Sequence, residues 1–484
     1  MKDETTTNDA SNSWRSPLSE RYASPAMLAN FSERAKITRW RRLWIALAEC
    51  ERELGLAITQ EQIAELEAHV DDIDLAAAAR YERELRHDVM AQIHAWGDLC
   101  PTARPIVHLG ATSCYVTDNA DLLAMREGLT LVKTKLVNVI GALAGFARTH
   151  RALPTLGWTH LQPAQATTVG KRATLWIQDL VHDLEDLEHA ERTLRFRGVK
   201  GTTGTQASFL ELFGGDHQKV RDLDARVTAR FGFERSFGVT GQTYPRQADF
   251  RVLQVLSSIA QSAHKFATDL RLLASRKEIE EPFETRQIGS SAMPWKRNPM
   301  RSERICSLGR YVISALDNAA HTAANQWLER TLDDSANRRI VIAETFLATD
   351  AILILQLDVA RGLVVRPHVV AKNLAAELPF LASEHVMMEA VKAGADRQDV
   401  HESIRRASRT ASEAILAGQE NPLRALLSED PVLGRLASRL DTLLDPARYV
   451  GRAPEQVDEF LAAEVDPILE RHGALLGARA DVRV

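Results

Sequence analysis

Cysteine is scarce in this chain of 484 residues, and its four copies lie far apart. They show no CxxC spacing, which argues against a disulfide framework and against a zinc knuckle. A reducing cytoplasm is therefore the expected compartment. The chain also lacks an HExxH motif or a carboxylate cluster with ligand spacing, so no metal and no cofactor are expected.

Long apolar runs and a strong charge of either sign are also missing. Sixty basic against 65 acidic side chains give a formal charge of -5, so no general attraction to nucleic acid or to an anionic membrane is expected. No apolar run approaches the roughly 18 residues of a membrane span. Residues 1–13 are polar and have no apolar core of a signal peptide. These absences predict a soluble protein with a disordered tail over residues 1–13.

Helical periodicity is abundant. Two segments carry apolar residues at spacings of three and four, which is typical of long helices in a bundle. They are Leu129, Val132, Leu136, Val139, Leu143 and Phe146, and Val252, Leu256, Ile259, Ala263, Phe266, Leu270 and Leu273. Further long helices are predicted over residues 172–192 and 338–361. The predicted fold is all-α, since no region keeps strand alternation for long.

Three helical domains are predicted, because 484 residues exceed what one core usually serves. Short helical patterns over residues 14–111 predict an N-terminal domain. Residues 112–364 form the long-helix bundle, with a loop at 282–303. After residue 364 the patterns shorten again, which predicts a C-terminal domain over 365–484.

The loop carries the most informative stretch. Residues 289–303 read Gly-Ser-Ser-Ala-Met-Pro-Trp-Lys-Arg-Asn-Pro-Met-Arg-Ser-Glu. Pro294 and Pro299 exclude a continuous helix. Two hydroxyls, a lysine and an amide lie beside several arginines, which indicates chemistry on an anion. A solvated connector between helices is the alternative, because these are also ordinary loop residues.

This stretch resembles the signature loop of the fumarase/aspartase superfamily. From about Trp14 to its C-terminal end, the chain is most similar to the adenylosuccinate lyases. The resemblance implies a homotetramer whose central helices pack into one bundle and whose active sites are shared between subunits. It also implies release of fumarate from adenylosuccinate, giving AMP, and from the succinylaminoimidazole carboxamide ribotide of purine synthesis, giving AICAR.

Four residues are candidate catalytic groups. His160 lies in the turn-prone segment Gly-Trp-Thr-His-Leu-Gln-Pro, and histidine is suited to proton transfer near neutral pH. A structural histidine bonded to loop backbone is the alternative. The resemblance implies that His160 is the general acid and Ser290 the general base. Lys296 would stabilise developing negative charge, and a water or His87 stays open as the base.

The resemblance also implies a set of substrate-binding residues. They are Arg21, Tyr22, Arg86, His87, Asp88, Thr112, Ser113, Gln242, Asn298, Arg304, Arg330, Ser335 and Arg339. The set holds more arginines than a dicarboxylate needs, and guanidinium groups bind carboxylate and phosphate alike. A nucleotide substrate is therefore favoured. Asp333, Asp334 and Ser335 could instead only cap a helix.

Three other interpretations remain at this stage. Another lyase of the superfamily, such as one acting on argininosuccinate, would keep the loop and His160. A non-catalytic scaffold of the same fold is a second alternative, although Ser290, Lys296 and His160 are all present. A regulatory nucleotide-binding protein is a third, and measured turnover would distinguish it from a lyase.

Overall fold

The computed structural model describes residues 12–480 and residue 482, so most of the predicted tail, residues 1–11, lies outside the described part. Helices dominate the described residues. The α-helices are α1 Pro25–Asn30, α2 Glu33–Glu53, α3 Gln60–Ala68, α4 Leu75–Leu85, α5 Asp88–Gly97, α6 Ser113–Thr149, α7 Val169–Thr193, α8 Ala207–Leu212, α9 His217–Arg230, α10 Gln247–Ser275, α11 Met300–Ala324, α12 Asp333–Gly362, α13 Pro367–Leu381, α14 Ser383–Lys392, α15 Arg397–Leu416, α16 Leu423–Glu429, α17 Leu440–Leu443, α18 Ala453–Phe460 and α19 Asp466–Arg471. The all-α prediction is confirmed.

Five long helices, α6, α7, α10, α11 and α12, pack into the central bundle. The apolar stripes explain why they associate. Every residue of the α10 stripe is buried, and so is the α6 stripe from Leu129 to Leu143, while Phe146 packs partly buried against the same core. The other two long segments expected from the sequence lie within α7 and α12.

Two short antiparallel strand pairs accompany the helices. Strands β1 Pro154–Thr159 and β2 Gln162–Thr168 form a hairpin, and β3 Ile279–Glu280 pairs with β4 Val364–Val365. The sequence did not reveal the hairpin because its register shifts between Leu156 and Trp158, which interrupts any alternation of buried and exposed residues. The hairpin nevertheless positions His160, which lies in its turn.

The hydrophobic cores of the structure do not follow the three predicted helical domains. One continuous core runs from Leu18 to Ile468 and joins the N-terminal helices to the central bundle. A second core, from Ala382 to Leu443, holds α14 to α17 together. The domain limits at residues 111 and 364 stay predictions.

Two helices, α6 and α12, are long and apolar enough to cross a membrane by length and composition. Of the most apolar window in α12, 83% is buried within the protein, and in α6 the figure is 56%. Such burial is what core helices of a bundle show.

The bundle has two distinct ends. Arg246, just before α10, pairs with Asp334 in the first turn of α12, so both helices begin at one end, which we call the cavity end. At the other end, the loop end, β3 pairs with β4 and Pro282 packs against Gly362. Helix α10 has 29 residues and α12 has 30. At about 1.5 Å per residue, roughly 40 Å therefore separates the two ends.

Candidate active site

A cavity of about 720 Å³ lies at the cavity end, where α5, α6 and α12 begin. Helix N-termini present unpaired N–H groups and favour anions. Eight of the residues expected from the sequence line this cavity together. They are Arg86, His87, Asp88, Ser113, Gln242, Arg330, Ser335 and Arg339. Thr112 lies beside them as the residue that precedes α6.

His87 is the N-cap of α5, and this role determines which of its nitrogens carries a proton. Its Nδ1 accepts a hydrogen bond from the backbone N–H of Met90 at 3.3 Å. In the neutral ring the proton is then on Nε2, which lies 3.3 Å from Oγ of Ser113. His87 thus presents an N–H donor to the cavity, which argues against a role as base in this arrangement.

The arginines of the cavity are held by carboxylates. Arg339 donates from Nη2 to Oδ2 of Asp88 at 2.8 Å, and Arg330 donates from Nη1 to Oδ1 of Asp334 at 2.7 Å. Arg86 adds a third guanidinium group to the lining. Its backbone is left-handed, with φ 53°, where it ends α4 and turns the chain into α5. These three are among seven basic side chains that line the cavity, and guanidinium groups suit the anionic groups of a ligand.

Gln242 reaches the cavity because two loops approach closely. Its backbone N–H donates to the carbonyl oxygen of Glu329 at 2.8 Å. A Cβ on the preceding Gly241 would lie 2.5 Å from that same oxygen, so a side chain there would separate the loops. The Gln242 amide oxygen accepts from Sγ of Cys114 at 3.5 Å. Burial raises the pKa of the Cys114 thiol to about 11, so it stays protonated.

Ser290 lies at the loop end in a loop that folds back on itself. Asn298 donates from Nδ2 to the carbonyl oxygen of Gly289 at 2.7 Å. Oγ of Ser290 accepts hydrogen bonds from the backbone N–H groups of Met293 and Ala292, at 3.1 and 3.3 Å. These two donors favour negative charge on the serine oxygen.

The two limbs of this loop are tied together at their base. The Glu281 carboxylate accepts from the backbone N–H groups of Arg301 and Ser302, at 3.0 and 2.9 Å, and so caps the start of α11. Lys296 and Trp295 lie on the exposed outer part of the loop. Ser290 therefore stays near the start of α11 and cannot reach the cavity of its own chain.

His160 lies in the two-residue turn between β1 and β2. Both turn residues, His160 and Leu161, have φ 55°, a left-handed conformation that non-glycine residues rarely adopt. Both are exposed. The hairpin is held from below, where the Arg276 guanidinium stacks 3.9 Å from the Trp158 ring centroid. His160 thus projects from a supported turn.

The remaining expected residues form a third group. The Arg304 guanidinium lies 5.6 Å from the centroid of the Tyr22 ring, one turn into α11 from the loop. Arg21 is exposed beside Tyr22 in the short π-helical turn Leu18–Tyr22. One chain therefore places these residues with the loop end, away from the cavity.

Two features escaped the sequence interpretation. His108 accepts at Nδ1 from Nε1 of Trp44 at 2.8 Å, and burial, with a contribution from His87, lowers its pKa to about 4. It is a neutral histidine close to the cavity, and its position four residues before Thr112 was the only available signal. The second feature is a buried network of arginines and aspartates beneath the cavity, which includes Arg246 and Asp334.

Comparisons with known proteins show which class of protein has this fold and this sequence. Residues 23–314 match the family model described as Lyase, and residues 379–460 match the model described as Adenylosuccinate lyase C-terminus. The structure superposes on a 3-carboxy-cis,cis-muconate lactonizing enzyme from Pseudomonas putida with a TM-score of 0.81 and 23% identity, covering 92% of this chain and 98% of that one. The long-helix bundle and the family model together define the class, a lyase with the fumarase/aspartase fold.

Similarity along the whole chain narrows the class. An adenylosuccinate lyase of Saccharomyces cerevisiae is 52% identical over 461 residues, which cover 94% of this chain and 96% of the relative. An adenylosuccinate lyase of Schistosoma mansoni is 50% identical over 474 residues, covering 97% and 99%. The chain belongs to the adenylosuccinate lyase family.

Proposed function

We propose that the protein cleaves adenylosuccinate into AMP and fumarate, and cleaves the succinylaminoimidazole carboxamide ribotide of purine synthesis in the same way. The observation that carries this proposal is the set of Arg86, Arg330 and Arg339 around one cavity. Identity of about half over nearly the whole chain to adenylosuccinate lyases supports it. As a member of that family, the protein is expected to act in the cytoplasm.

The cavity end is the proposed nucleotide-binding part. Its guanidinium groups and the N-termini of α5 and α12 would bind the phosphate and neighbouring polar groups. Ser335, in the first turn of α12, and the amide of Gln242 offer neutral hydrogen bonds. His87 would donate its Nε2–H to the ligand or to Ser113.

The loop end carries the proposed chemistry. Elimination removes a proton from the carbon next to one carboxylate, and the electron pair left behind is first delocalised into that carboxylate, which becomes doubly charged. The pair then forms the double bond of fumarate as the carbon–nitrogen bond breaks. Ser290 would take that proton, with its oxygen stabilised by two backbone N–H groups. His160 would protonate the departing nitrogen. Lys296 would stabilise the doubly charged carboxylate that forms between these steps.

The distance between the two ends supports active sites that are shared between the subunits of a homotetramer. Roughly 40 Å of helix separates the cavity from Ser290 in one chain, whereas the reaction needs both at one substrate. Exposed apolar side chains at both ends support contact with other subunits. They are Leu161, Ile288 and Trp295 at the loop end, and Trp327, Leu328 and Leu332 at the cavity end. We propose that each site takes its cavity from one subunit and its loop from another.

A turnover assay tests the proposed activity. The purified protein should convert adenylosuccinate into AMP and fumarate in equal amounts, and it should leave argininosuccinate unchanged because that substrate has no phosphate. Comparable turnover on argininosuccinate would favour the other lyase interpretation. Binding of AMP without any turnover would favour a scaffold or a regulatory nucleotide-binding protein.

A further inference from the structure

The buried carboxylate of Asp334 links two arginines of the cavity, Arg330 and Arg246. We call the buried network around Arg246 the floor of the cavity. Asp334 lies in the first turn of α12, and its side chain is 0% exposed. Its Oδ1 accepts from Nη1 of Arg330 at 2.7 Å, and its Oδ2 accepts from Nε of Arg246 at 2.7 Å. Each oxygen thus serves a different guanidinium group.

Arg246 is an immobile partner in this arrangement. Its side chain is 1% exposed, and it donates from Nη2 and Nη1 to the two oxygens of Asp118, at 3.0 and 3.1 Å. Such a bidentate pair restricts the guanidinium group to one orientation. Asp118 also accepts from the backbone N–H of Tyr244 at 2.9 Å. Since Asp118 lies on α6 and Asp334 on α12, the network ties Asp334 to the neighbouring helix.

The second half of the network strengthens this anchor. Arg338 donates from Nε to Oδ2 of Asp249 at 2.7 Å and from Nη2 to the hydroxyl of Tyr244 at 2.5 Å. The Tyr244 hydroxyl donates in turn to Oδ1 of Asp249 at 2.6 Å. Tyr244 therefore links both halves, and the floor of the cavity is fixed by fully buried hydrogen bonds.

The segment that carries Arg330 has little packing of its own. Leu328 is 97% exposed and has φ 45°, and Trp327 and Leu332 are also exposed. The backbone is tied at Glu329 by Gln242, but a backbone bond does not orient a long side chain. The hydrogen bond to Asp334 orients the Arg330 guanidinium instead.

We propose that Asp334 is a positioning residue for substrate binding, holding the Arg330 guanidinium in the cavity by pairing it with the fixed Arg246. This inference rests on the proposed function, in which Arg330 binds an anionic group of the nucleotide. An asparagine at position 334 would offer one acceptor oxygen to two guanidinium groups. Arg330 would then lose its fixed orientation while its charge remained.

Steady-state kinetics with adenylosuccinate test this role. Asp334→Asn should raise KM about tenfold, the effect of losing one charge-assisted hydrogen bond, and should leave kcat within about threefold, because ground-state and transition-state binding are lost together. Asp333→Asn is the matched control, since Asp333 is the exposed neighbouring carboxylate in the same helix turn. It should keep the wild-type KM.

A double variant separates positioning from general loss of structure. If Asp334 acts through Arg330, Asp334→Asn should add no further rise in KM when Arg330→Gln is already present. Independent, multiplying effects of the two substitutions, or an unchanged KM in Asp334→Asn, would overturn the inference. An inactive wild-type protein would instead refute the proposed function.

Asp334→Glu serves if the asparagine variant does not fold. Glutamate keeps the charge that Arg246 needs, but its longer side chain displaces the oxygen that orients Arg330. The folded glutamate variant should also show a raised KM with kcat nearly unchanged, and a wild-type KM in this variant would contradict the positioning role.

Discussion

At the cavity end, eight expected side chains line one cavity over a buried network of ion pairs. At the loop end, His160 and Lys296 lie on an exposed turn and an exposed loop, and Trp295 is 79% exposed. One chain thus brings most of the expected binding residues together at the cavity end, whereas it leaves the proposed chemical groups of the loop end facing solvent. The difference shows that the two ends are built differently: buried ion pairs hold the side chains of the cavity end, whereas the loop end presents its groups on exposed backbone turns.

The largest effect is expected from residues of the loop end. Ser290→Ala and His160→Ala should each lower kcat by about a thousandfold, while AMP still binds with nearly wild-type affinity because the cavity is intact. Steady-state rates and calorimetric AMP binding measure the two quantities. Ser291→Ala, next to Ser290, is the matched control and should lose at most about tenfold. Loss of AMP binding in the Ser290 variant would contradict the proposal that the cavity end binds the nucleotide while the loop end carries the chemistry.

An intermediate effect is expected at His87, where two substitutions separate its two nitrogens. In His87→Asn the side-chain oxygen can still cap α5 by accepting from Met90, but no donor reaches Ser113. In His87→Gln the amide can donate where Nε2–H was, but the cap is weakened. If His87 is a donor, kcat/KM should fall about a hundredfold in the asparagine variant and about tenfold in the glutamine variant. Thermal unfolding should show the reverse order, with the glutamine variant less stable. Equal and large losses of kcat would restore His87 as a candidate base.

The sequence predicted the long helices of the bundle better than it predicted how the site residues are distributed between the two ends. The apolar stripes of α6 and α10 could be recognised in the sequence because helical periodicity is a local property. The hairpin was missed because the register shift between Leu156 and Trp158 interrupts the alternation of buried and exposed residues that marks a strand. Asp118, Arg246 and Asp334 meet only in the fold, and Asp334 alone looked like a helix cap. Resemblance to the family supplied the list of site residues. Only the helix lengths and contacts of the structure show that, within one chain, these residues lie at two opposite ends of the bundle.

The smallest effect on activity is expected from substitution of Glu51, which lies in α2, outside both ends. Glu51 of α2 is fully buried, and among the described residues neither of its carboxylate oxygens has a hydrogen-bond partner. Burial raises its pKa from 4.5 to about 9. The folded state therefore keeps a proton that the unfolded state releases above pH 4.5, so stability falls as pH rises from that value towards 9.

Urea unfolding at two pH values measures this contribution. Between pH 5 and pH 8, the free energy of unfolding of the wild type should fall by on the order of 4 kcal/mol because of Glu51, and the Glu51→Gln variant should not show this fall. Glu49→Gln is the control, because Glu49 lies on the same helix but pairs with Arg230. It should keep the wild-type pH dependence. The same dependence in Glu51→Gln would show that another group is responsible, and kcat should be unchanged in both variants.

Subunit mixing tests most directly whether the two ends of different chains form one site. His87→Ala removes a cavity residue and Ser290→Ala a loop residue, so each variant should be nearly inactive alone. After reversible dissociation and reassociation of an equal mixture, chance pairing should leave both residues intact in about a quarter of the sites. Activity should then return to at most about a quarter of the wild-type value, while a mixture that was never dissociated stays inactive. Persistent inactivity, with hybrid oligomers demonstrated by mass spectrometry, would contradict the shared site.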